Sequence, residues 1–306
     1  MNATAHQPPQ IARANGIDIC YEIFGDAGAE PMLLIMGLGA QMIVWDDAFC
    51  RQLAARGFRV IRFDNRDIGQ SSHLTGGKRL TPLELLKLRF LRIPVSATYE
   101  LIDMAKDTVA LMEVLGIRSA HLVGASMGGM IAQEIAISFP HHVRSLTSIM
   151  STTGNPRVPP PSREAAAMLM APPPRSKDEY LVRYAETWKV LRAGHFPEDE
   201  AQDRERAERT FARGLNPAGV GRQLRAVLAS GSRKERLHKV TAPTLVIHGT
   251  VDPLVRPEGG KDTAASIPNA KLMMIEGMGH ALPIRFWPEI IDAIDEHAHR
   301  AAANAA

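Results

Sequence analysis

Short apolar segments bounded by glycine and proline alternate with segments of helical periodicity along most of this 306-residue chain, and this alternation constrains its fold most. An uninterrupted apolar run such as residues 32–36 is typical of a strand buried on both faces of a sheet. Strands are predicted at residues 17–24, 32–36, 59–63, 119–125, 143–150, 244–249 and 271–276, and helices at residues 42–55, 99–115, 128–138 and 286–299. Because strands that alternate with helices form parallel sheets covered on both faces, we predict an α/β fold with a mostly parallel, twisted sheet flanked by helices.

Two parts of the chain are expected at the margins of this core. Residues 17–24 alternate apolar and polar side chains, which is typical of a half-exposed strand at a sheet edge. Residues 1–10 and the Ala-rich residues 300–306 are expected to be frayed. We therefore assign the core to residues 11–151 and 239–300.

The alternation fails in residues 152–238, where proline-rich stretches are followed by Arg-rich helical sequence. This segment has 16 Lys and Arg residues against 11 Asp and Glu residues, a net charge of +5 in a chain whose total is +3. A solvated helical face is the simpler explanation of this surplus. We predict that residues 152–238 form a helical cap, or lid, inserted in the core.

The composition excludes a disordered tail, a collagen-like repeat and a coiled coil. With 45% hydrophobic and 23% charged residues the chain is ordinary globular protein, and a net charge of +3 gives no reason to expect a nucleic-acid partner. Residues 32–40, the most apolar stretch, are far shorter than the roughly 20 residues of a membrane span. No secretory signal is recognisable, and Cys20 and Cys50 are expected to be reduced, buried thiols. We expect a cytoplasmic protein with no membrane partner and no metal site.

The sequence offers one candidate nucleophile. Residues 124–128 read Gly-Ala-Ser-Met-Gly, which fits the pattern G-x-S-x-G, and they lie directly between a predicted strand and a predicted helix. That context is required of a nucleophile elbow, in which a sharp turn lifts the serine hydroxyl out of the sheet. A glycine-rich turn with an incidental serine is the alternative. The pattern favours Ser126 as the nucleophile.

An acid and a base follow Ser126 in the order that this architecture requires. Asp252 comes directly after the predicted strand 244–249, and His280 lies in a glycine-flanked loop after strand 271–276. The carboxyl ends of parallel strands meet at one edge of a sheet, so we expect all three side chains to converge there. A turn aspartate and a loop histidine remain the alternatives. His248 precedes Asp252 within a strand, and we do not assign it to the site.

Further site residues are predicted from the loops around the nucleophile. An oxyanion hole needs two backbone N–H groups, and we assign them to Met127, which follows the nucleophile, and to Leu38, in the glycine-flanked loop after residues 32–36. That loop could instead simply be flexible. Gly37, Met168 and Trp188 are candidates for the substrate pocket, although the last two could equally form the core of the lid.

Five motifs together resemble the α/β-hydrolase family over residues 17–150 and 240–299. They read Met-Gly-Leu-Gly at 36–39, Asp-Asn-Arg-Asp-Ile-Gly-Gln-Ser at 64–71, Gly-Ala-Ser-Met-Gly-Gly at 124–129, His-Gly-Thr-Val-Asp at 248–252 and Gly-Met-Gly-His at 277–280. The first two look most like the aclacinomycin-methylesterase-like branch. The resemblance implies a Ser126–His280–Asp252 triad, hydrolysis of carboxylic esters and no cofactor. Met36 is a departure, because many members of the family have histidine there.

The sequence therefore predicts a serine hydrolase that cleaves a carboxylic ester of a small to medium apolar molecule through an acyl-enzyme. A small-molecule ester is the expected partner, and the oligomeric state is left open. The same side chains could serve a lactone or macrolide-ring esterase, a carbon–carbon bond hydrolase or a perhydrolase. A non-catalytic ligand-binding protein on the same scaffold is the alternative from another class.

Overall fold

The centre of the fold is an eight-stranded sheet, seen in a computed structural model that describes residues 6–77, 80–86, 91, 93, 95–194 and 196–303. The strands are His6–Ala14 (β1), Ile17–Phe24 (β2), Glu30–Ile35 (β3), Phe58–Phe63 (β4), Ala120–Ala125 (β5), Val143–Ile149 (β6), Thr244–Gly249 (β7) and Lys271–Ile275 (β8). Their order is β1-β2-β4-β3-β5-β6-β7-β8. The pairings of β1 with β2 and of β2 with β4 are antiparallel, and all the others are parallel, which confirms the predicted mostly parallel sheet.

Helices cover both faces of this sheet. They are Asp47–Ala55 (α1), Pro82–Leu86 (α2), Leu101–Val114 (α3), Met127–Ser138 (α4), Arg163–Leu169 (α5), Lys177–Arg192 (α6), Pro197–Ala212 (α7), Pro217–Ala229 (α8), Lys234–Leu237 (α9), Pro257–Ser266 (α10) and Trp287–Ala303 (α11). In β3, Leu33 and Ile35 belong to the apolar cluster under α3 and α4, whereas Met32 and Leu34 belong to the cluster under α1 and α11. The uninterrupted apolar run is thus explained by burial on both faces. Within the described residues, no helix is both long and apolar enough to cross a membrane.

The N-terminal part of the sheet differs from the prediction. β2 is not an edge strand, because it lies between β1 and β4 and is almost entirely buried. The edge is β1, which begins at His6 in a region expected to be frayed and pairs with β2. The polar positions of β2 were misleading: Glu22 is buried and accepts a hydrogen bond of 2.7 Å from Nε of buried Arg62. At the other end of the chain α11 continues to Ala303, and residues 304–306 lie outside the described residues.

Residues 152–238, called the insert below, contribute α5 to α9 between β6 and β7. Part of its positive charge is buried and does not belong to the solvated face that we expected, whereas other basic side chains, such as Arg163 and Arg204, are exposed. Arg222, with only 6% exposure, forms an ion pair with Asp67 in which Nη2 lies 2.7 Å from Oδ1. Arg213 pairs in the same way with the fully buried Asp64. Part of the surplus of arginine in the insert therefore neutralises carboxylates that the core buries.

Candidate active site

The candidate site lies at the carboxyl ends of β3 and β5, where the direction of the chain connections changes. From β3 the chain passes through α1 to β4 on one side, whereas β5 pairs with β3 on the other side. Such a switch point opens a crevice at the sheet edge. The loops after the two strands touch there, since a Cβ added to Gly37 would lie 3.0 Å from Cβ and 3.5 Å from Oγ of Ser126.

Ser126 occupies a sharp turn between β5 and α4. Its backbone has φ +56° and ψ −120°, a conformation that residues other than glycine adopt only at a cost in free energy. The two glycines of the motif allow strand and helix to approach at this turn. A Cβ on Gly128 would collide with the carbonyl oxygen of Ile35, and a Cβ on Gly124 would collide with that of Gly128. The turn therefore needs both glycines for steric reasons.

The structure brings the three predicted catalytic side chains into one hydrogen-bonded chain. His280 Nε2 lies 2.9 Å from Ser126 Oγ, and His280 Nδ1 lies 2.7 Å from Asp252 Oδ2. An ionised carboxylate can only accept, so Nδ1 of the neutral imidazole carries the proton and Nε2 accepts from the serine hydroxyl. Asp252 is fully buried and His280 is 5% exposed, which leaves the half-buried Ser126 as the accessible member.

Asp252 is held in its ionised form. Burial alone would raise the pKa of this carboxyl, but charge and hydrogen bonding from His280 and His248 outweigh burial and hold the pKa at about 2. Its Oδ1 also accepts the backbone N–H groups of Leu254 and Val255, each at 2.9 Å. The carboxylate is therefore charged and fixed in orientation at neutral pH.

His248 is a neighbour of the site that the sequence reasoning set aside. Its Nε2 lies 2.8 Å from the carbonyl oxygen of Val255 and 3.4 Å from Oδ2 of Asp252. The side chain is fully buried, and a Cβ on Gly260 would lie 2.5 Å from its Nδ1. The available signal was its place at the end of β7, four residues before Asp252.

One predicted oxyanion donor directly follows Ser126, and the other lies in the loop whose Gly37 packs against Ser126. Met127 is the first residue of α4, and the first N–H groups of a helix have no intrahelical acceptor. Leu38 is half-buried and follows Gly37, which contacts Ser126. The positive end of the α4 dipole adds to the attraction for a negative oxygen at this place.

The loop that carries Leu38 is bonded at both ends by side chains that the sequence did not reveal. Asn65 donates from Nδ2 to the carbonyl oxygen of Met36 at 2.9 Å. Gln223, on α8 of the insert, accepts the N–H of Gly39 at 2.9 Å. We call residues 37–39 the oxyanion loop.

The insert also contacts the loop that contains His280. The backbone N–H of His280 donates to the carbonyl oxygen of Leu191, near the end of α6, at 2.6 Å. A Cβ on Gly279 would collide with the carbonyl oxygens of Leu191 and Arg192. The glycine before His280 is thus explained by close packing against the insert.

The predicted pocket residues have different surroundings. Gly37 lies against Ser126, as described above. Met168 is half-buried on α5. The ring of Trp188, on α6, has its centroid 5.9 Å from that of Tyr184 and 5.9 Å from the Arg206 guanidinium, and both contacts lie within the insert. A substrate-binding role for Met168 and Trp188 stays a prediction. In the described part of the chain, no three His, Cys, Asp or Glu side chains are grouped as metal ligands.

Comparison with known proteins identifies the family. A family model described as the alpha/beta hydrolase fold matches residues 30–285. The rhodomycin D methylesterase DauP of Streptomyces sp. (strain C5) is 30% identical over 315 residues, with 96% of this chain and 99% of that protein covered. This relative agrees with the branch that the motifs indicated.

Two solved structures share the fold. A meta-cleavage product hydrolase from Pseudomonas fluorescens IP01 has a TM-score of 0.73 at 18% identity and covers 95% of this chain and 98% of its own. The enol-lactonase from Burkholderia xenovorans LB400 has a TM-score of 0.69 at 19% identity and covers 96% of this chain and 100% of its own. Together with the family model and the methylesterase relative, they confirm the predicted fold: the chain belongs to the α/β-hydrolase fold family.

Proposed function

We propose that this protein is a serine esterase that hydrolyses a carboxylic ester of a small to medium apolar molecule. The observation that carries the proposal is the hydrogen-bonded chain from Ser126 Oγ through His280 to Asp252. A serine hydroxyl becomes a useful nucleophile when a base takes its proton and a third group orients that base. Membership of the α/β-hydrolase family and a methylesterase relative support ester hydrolysis as the reaction.

In the proposed mechanism Ser126 Oγ attacks the acyl carbon while its proton passes to His280 Nε2. Asp252 keeps the proton of Nδ1 in place and stabilises the imidazolium that forms. His280 then gives its proton to the alkoxide, which leaves as an alcohol, and the acyl group remains bonded to Oγ. A water molecule attacks this acyl-enzyme, with His280 as the base, and releases the carboxylic acid and free Ser126.

The negative oxygen of each tetrahedral intermediate would be bound by the N–H groups of Leu38 and Met127. Donors already in position cost no reorganisation when charge develops, and loss of one costs about 3 kcal/mol of activation free energy. In this proposal residues 11–151 and 239–300 carry the chemistry as the core. Residues 152–238 act as a cap that selects the substrate, with Met168 and Trp188 as its candidate contacts.

The proposal is tested with a panel of p-nitrophenyl esters of increasing acyl length, together with methyl esters and lactones. Wild type should hydrolyse at least one ester, Ser126→Ala should lose that turnover, and a fluorophosphonate should label Ser126. A methyl ester is included because the relative is named a methylesterase. Exclusive turnover of lactones would favour the ring-opening alternative, and no turnover of any member would contradict the esterase proposal.

The chain offers a matched control serine. Ser145 Oγ lies 2.8 Å from His121 Nδ1, and His121 Nε2 lies 3.3 Å from Glu30 Oε2, so a second serine and histidine lie beside a carboxylate. Ser145, however, is buried within β6 and lacks a strained turn. The Ser145→Ala variant should keep the turnover of wild type, and its Ser126 should still be labelled by the fluorophosphonate. Labelling of Ser145 in place of Ser126 would contradict the assignment of the nucleophile.

A further inference from the structure

Gln223 is a fully buried polar side chain that joins the insert to the oxyanion loop. Its Oε1 accepts the N–H of Gly39 at 2.9 Å, and its Nε2 donates to the carbonyl oxygen of Arg66 at 2.9 Å. The Gly39 N–H can only donate and the Arg66 carbonyl can only accept, so the two ends of the amide cannot exchange. The bond therefore defines where Gly39 lies relative to α8.

The backbone of the oxyanion loop also packs closely against α8. Gly39 has φ +69°, and a Cβ there would lie 3.2 Å from Cγ1 of Val220. Val220 and Gln223 are three residues apart and so share one face of the helix. The same helix is held to the core by Arg222, whose Nε and Nη2 donate to the two oxygens of Asp67 at 2.9 and 2.7 Å. The helix that positions Gly39 is thus itself fixed.

The oxyanion loop is short enough to transmit this position to the reacting atoms. Gly37 contacts Ser126 at one end, Gly39 is bound by Gln223 at the other, and only Leu38 lies between them. A change in the peptide at Gly39 would rotate the Leu38 N–H, and a donor misplaced by about 1 Å can cost 100-fold in rate.

We propose that Gln223 is a positioning residue for the hydrolytic reaction: it holds the oxyanion loop so that the Leu38 N–H points at the developing negative charge. This inference rests on the proposed esterase function. It gives the insert a part in the chemical step in addition to any part in substrate selection. Since the hydrogen bonds of Gln223 go to Gly39 and Arg66 and not to Ser126 or His280, we infer that its effect acts through Gly39.

The test compares wild type with Gln223→Met, which fills a similar volume without either hydrogen bond, on an ester from the panel above. We expect kcat to fall about 10- to 100-fold with KM changed less than about twofold, because an oxyanion donor acts mainly in the transition state. The Ki of a trifluoromethyl ketone, whose adduct with Ser126 has a negative oxygen, should rise by the same factor as kcat/KM falls. The Ki of the matching methyl ketone should stay constant.

A conservative variant keeps the test decisive if Gln223→Met does not fold. Burial favours the neutral acid in Gln223→Glu, and a neutral carboxyl can accept from Gly39 and donate to Arg66. Gln223→Glu should therefore retain more of kcat than Gln223→Met. If only Gln223→Glu folds, its kcat and its Ki for the trifluoromethyl ketone are each measured at rising pH as a ratio to the wild-type value at the same pH. Ratios that stay constant as pH rises overturn the inference.

Gln133 provides the matched control, since it is also a fully buried glutamine, and its Oε1 accepts Nε of Arg233 at 3.1 Å. Gln133→Met should lower stability but leave kcat per folded molecule and the trifluoromethyl ketone Ki unchanged. The inference would be overturned if folded Gln223→Met kept the kcat and Ki of wild type, or if Gln133→Met lost as much activity as Gln223→Met. In both cases turnover by wild type would leave the esterase proposal intact. A wild type inactive on the whole panel would instead contradict the proposed function and this inference with it.

Discussion

Among single residues, Asp252 shows how environment assigns different tasks to two oxygens of one carboxylate. Oδ1 accepts two backbone N–H groups of its own loop, whereas Oδ2 faces His280. The first set of bonds fixes the side chain, and the second fixes the proton on His280 Nδ1. The orientation of the base in the proposed mechanism depends on both.

Asp252→Asn should remove this control without removing the side chain. The two backbone N–H groups would bind the amide oxygen, so the amide NH2 would take the place of Oδ2 and donate to His280 Nδ1. The imidazole proton would then lie on Nε2, which could no longer accept from Ser126. We expect kcat to fall about 10⁴-fold, because the base would carry its proton on the wrong nitrogen. Steady-state kinetics on an active ester measure this, and a loss of less than tenfold would speak against the triad.

The lowered pKa of Asp252 also predicts a pH dependence of stability. The pKa is about 2 in the folded protein against an ordinary 3.8. A carboxyl whose pKa is lower in the folded state adds stability that is complete above its ordinary pKa and is lost as pH falls toward the folded value. The difference in unfolding free energy between wild type and Asp252→Asn should therefore shrink by about 1 kcal/mol from about pH 6 to about pH 3. Urea unfolding at both pH values measures it, and parallel profiles would contradict the assigned pKa.

The convergence of Ser126, Asp252 and His280 could be predicted from the sequence because local context carries the information. Ser126, Asp252 and His280 each follow a recognisable strand, so strand order alone placed them at one sheet edge. Gln223 has no such local signal, because its bond to Gly39 joins residues 184 positions apart. The same holds for Asn65 and its bond to Met36.

Among the elements, α8 contains two glycines, Gly219 and Gly221, whose replacement by alanine should change the stability in opposite directions. A Cβ on Gly219 would collide with the carbonyl oxygen of Asp67 and lie 2.6 Å from Nδ2 of Asn216, whereas a Cβ on Gly221 meets nothing within 4 Å. Close packing therefore requires glycine at position 219 but not at position 221.

Gly219→Ala should lower the free energy of unfolding by about 1–3 kcal/mol, the cost of overpacking a close contact. Gly221→Ala, two residues along the same helix, should raise it by up to about 1 kcal/mol, because alanine has the higher helix propensity. Thermal and chemical denaturation of both variants test the pair. Equal effects of the same sign would show that α8 does not pack on the loop at Asp67 as described.

Most element types followed from the sequence, but β1 and α10 were not predicted, and the surroundings of some predicted elements were misjudged. The apolar run that became β3 was recognisable because a strand buried on both faces of a parallel sheet has no polar face. β2 was misassigned to the edge because a buried ion pair, Glu22 with Arg62, has the same alternating pattern as a solvated face. A sequence pattern shows polarity, whereas only the fold shows whether water or an arginine satisfies it.

On the scale of the whole molecule, the insert and the core share buried charge. Asp67 is fully buried and also accepts the hydroxyl of Tyr99 at 2.8 Å and the N–H of Leu74 at 2.7 Å. These bonds do not neutralise it, and Arg222 of the insert supplies the opposite charge. We infer that insert and core contribute to one cooperative unit of stability.

Arg222→Met should destabilise the protein by about 3–5 kcal/mol, because it leaves a charge buried without its partner. The double variant Arg222→Met, Asp67→Asn should recover at least half of that loss, because the uncompensated charge is then gone. Chemical denaturation of the four proteins in this cycle measures the coupling. Arg56, which pairs with Asp295 at 2.9 Å on the surface, is the control, and Arg56→Met should be nearly neutral. Additive effects of the two buried substitutions would contradict the coupling.

The hydrogen bond from His280 N–H to the carbonyl oxygen of Leu191 has a consequence for how new specificities can arise in this scaffold. A chimera that received its α6 from another enzyme would exchange the backbone acceptor of His280, the proposed general base, together with Trp188, a candidate substrate contact. Such a chimera should therefore keep its turnover only when the new helix ends at the same place relative to His280, so that a backbone carbonyl oxygen still accepts the His280 N–H. Natural or laboratory diversification of the substrate range should then proceed through side-chain changes on this helix, with its length conserved.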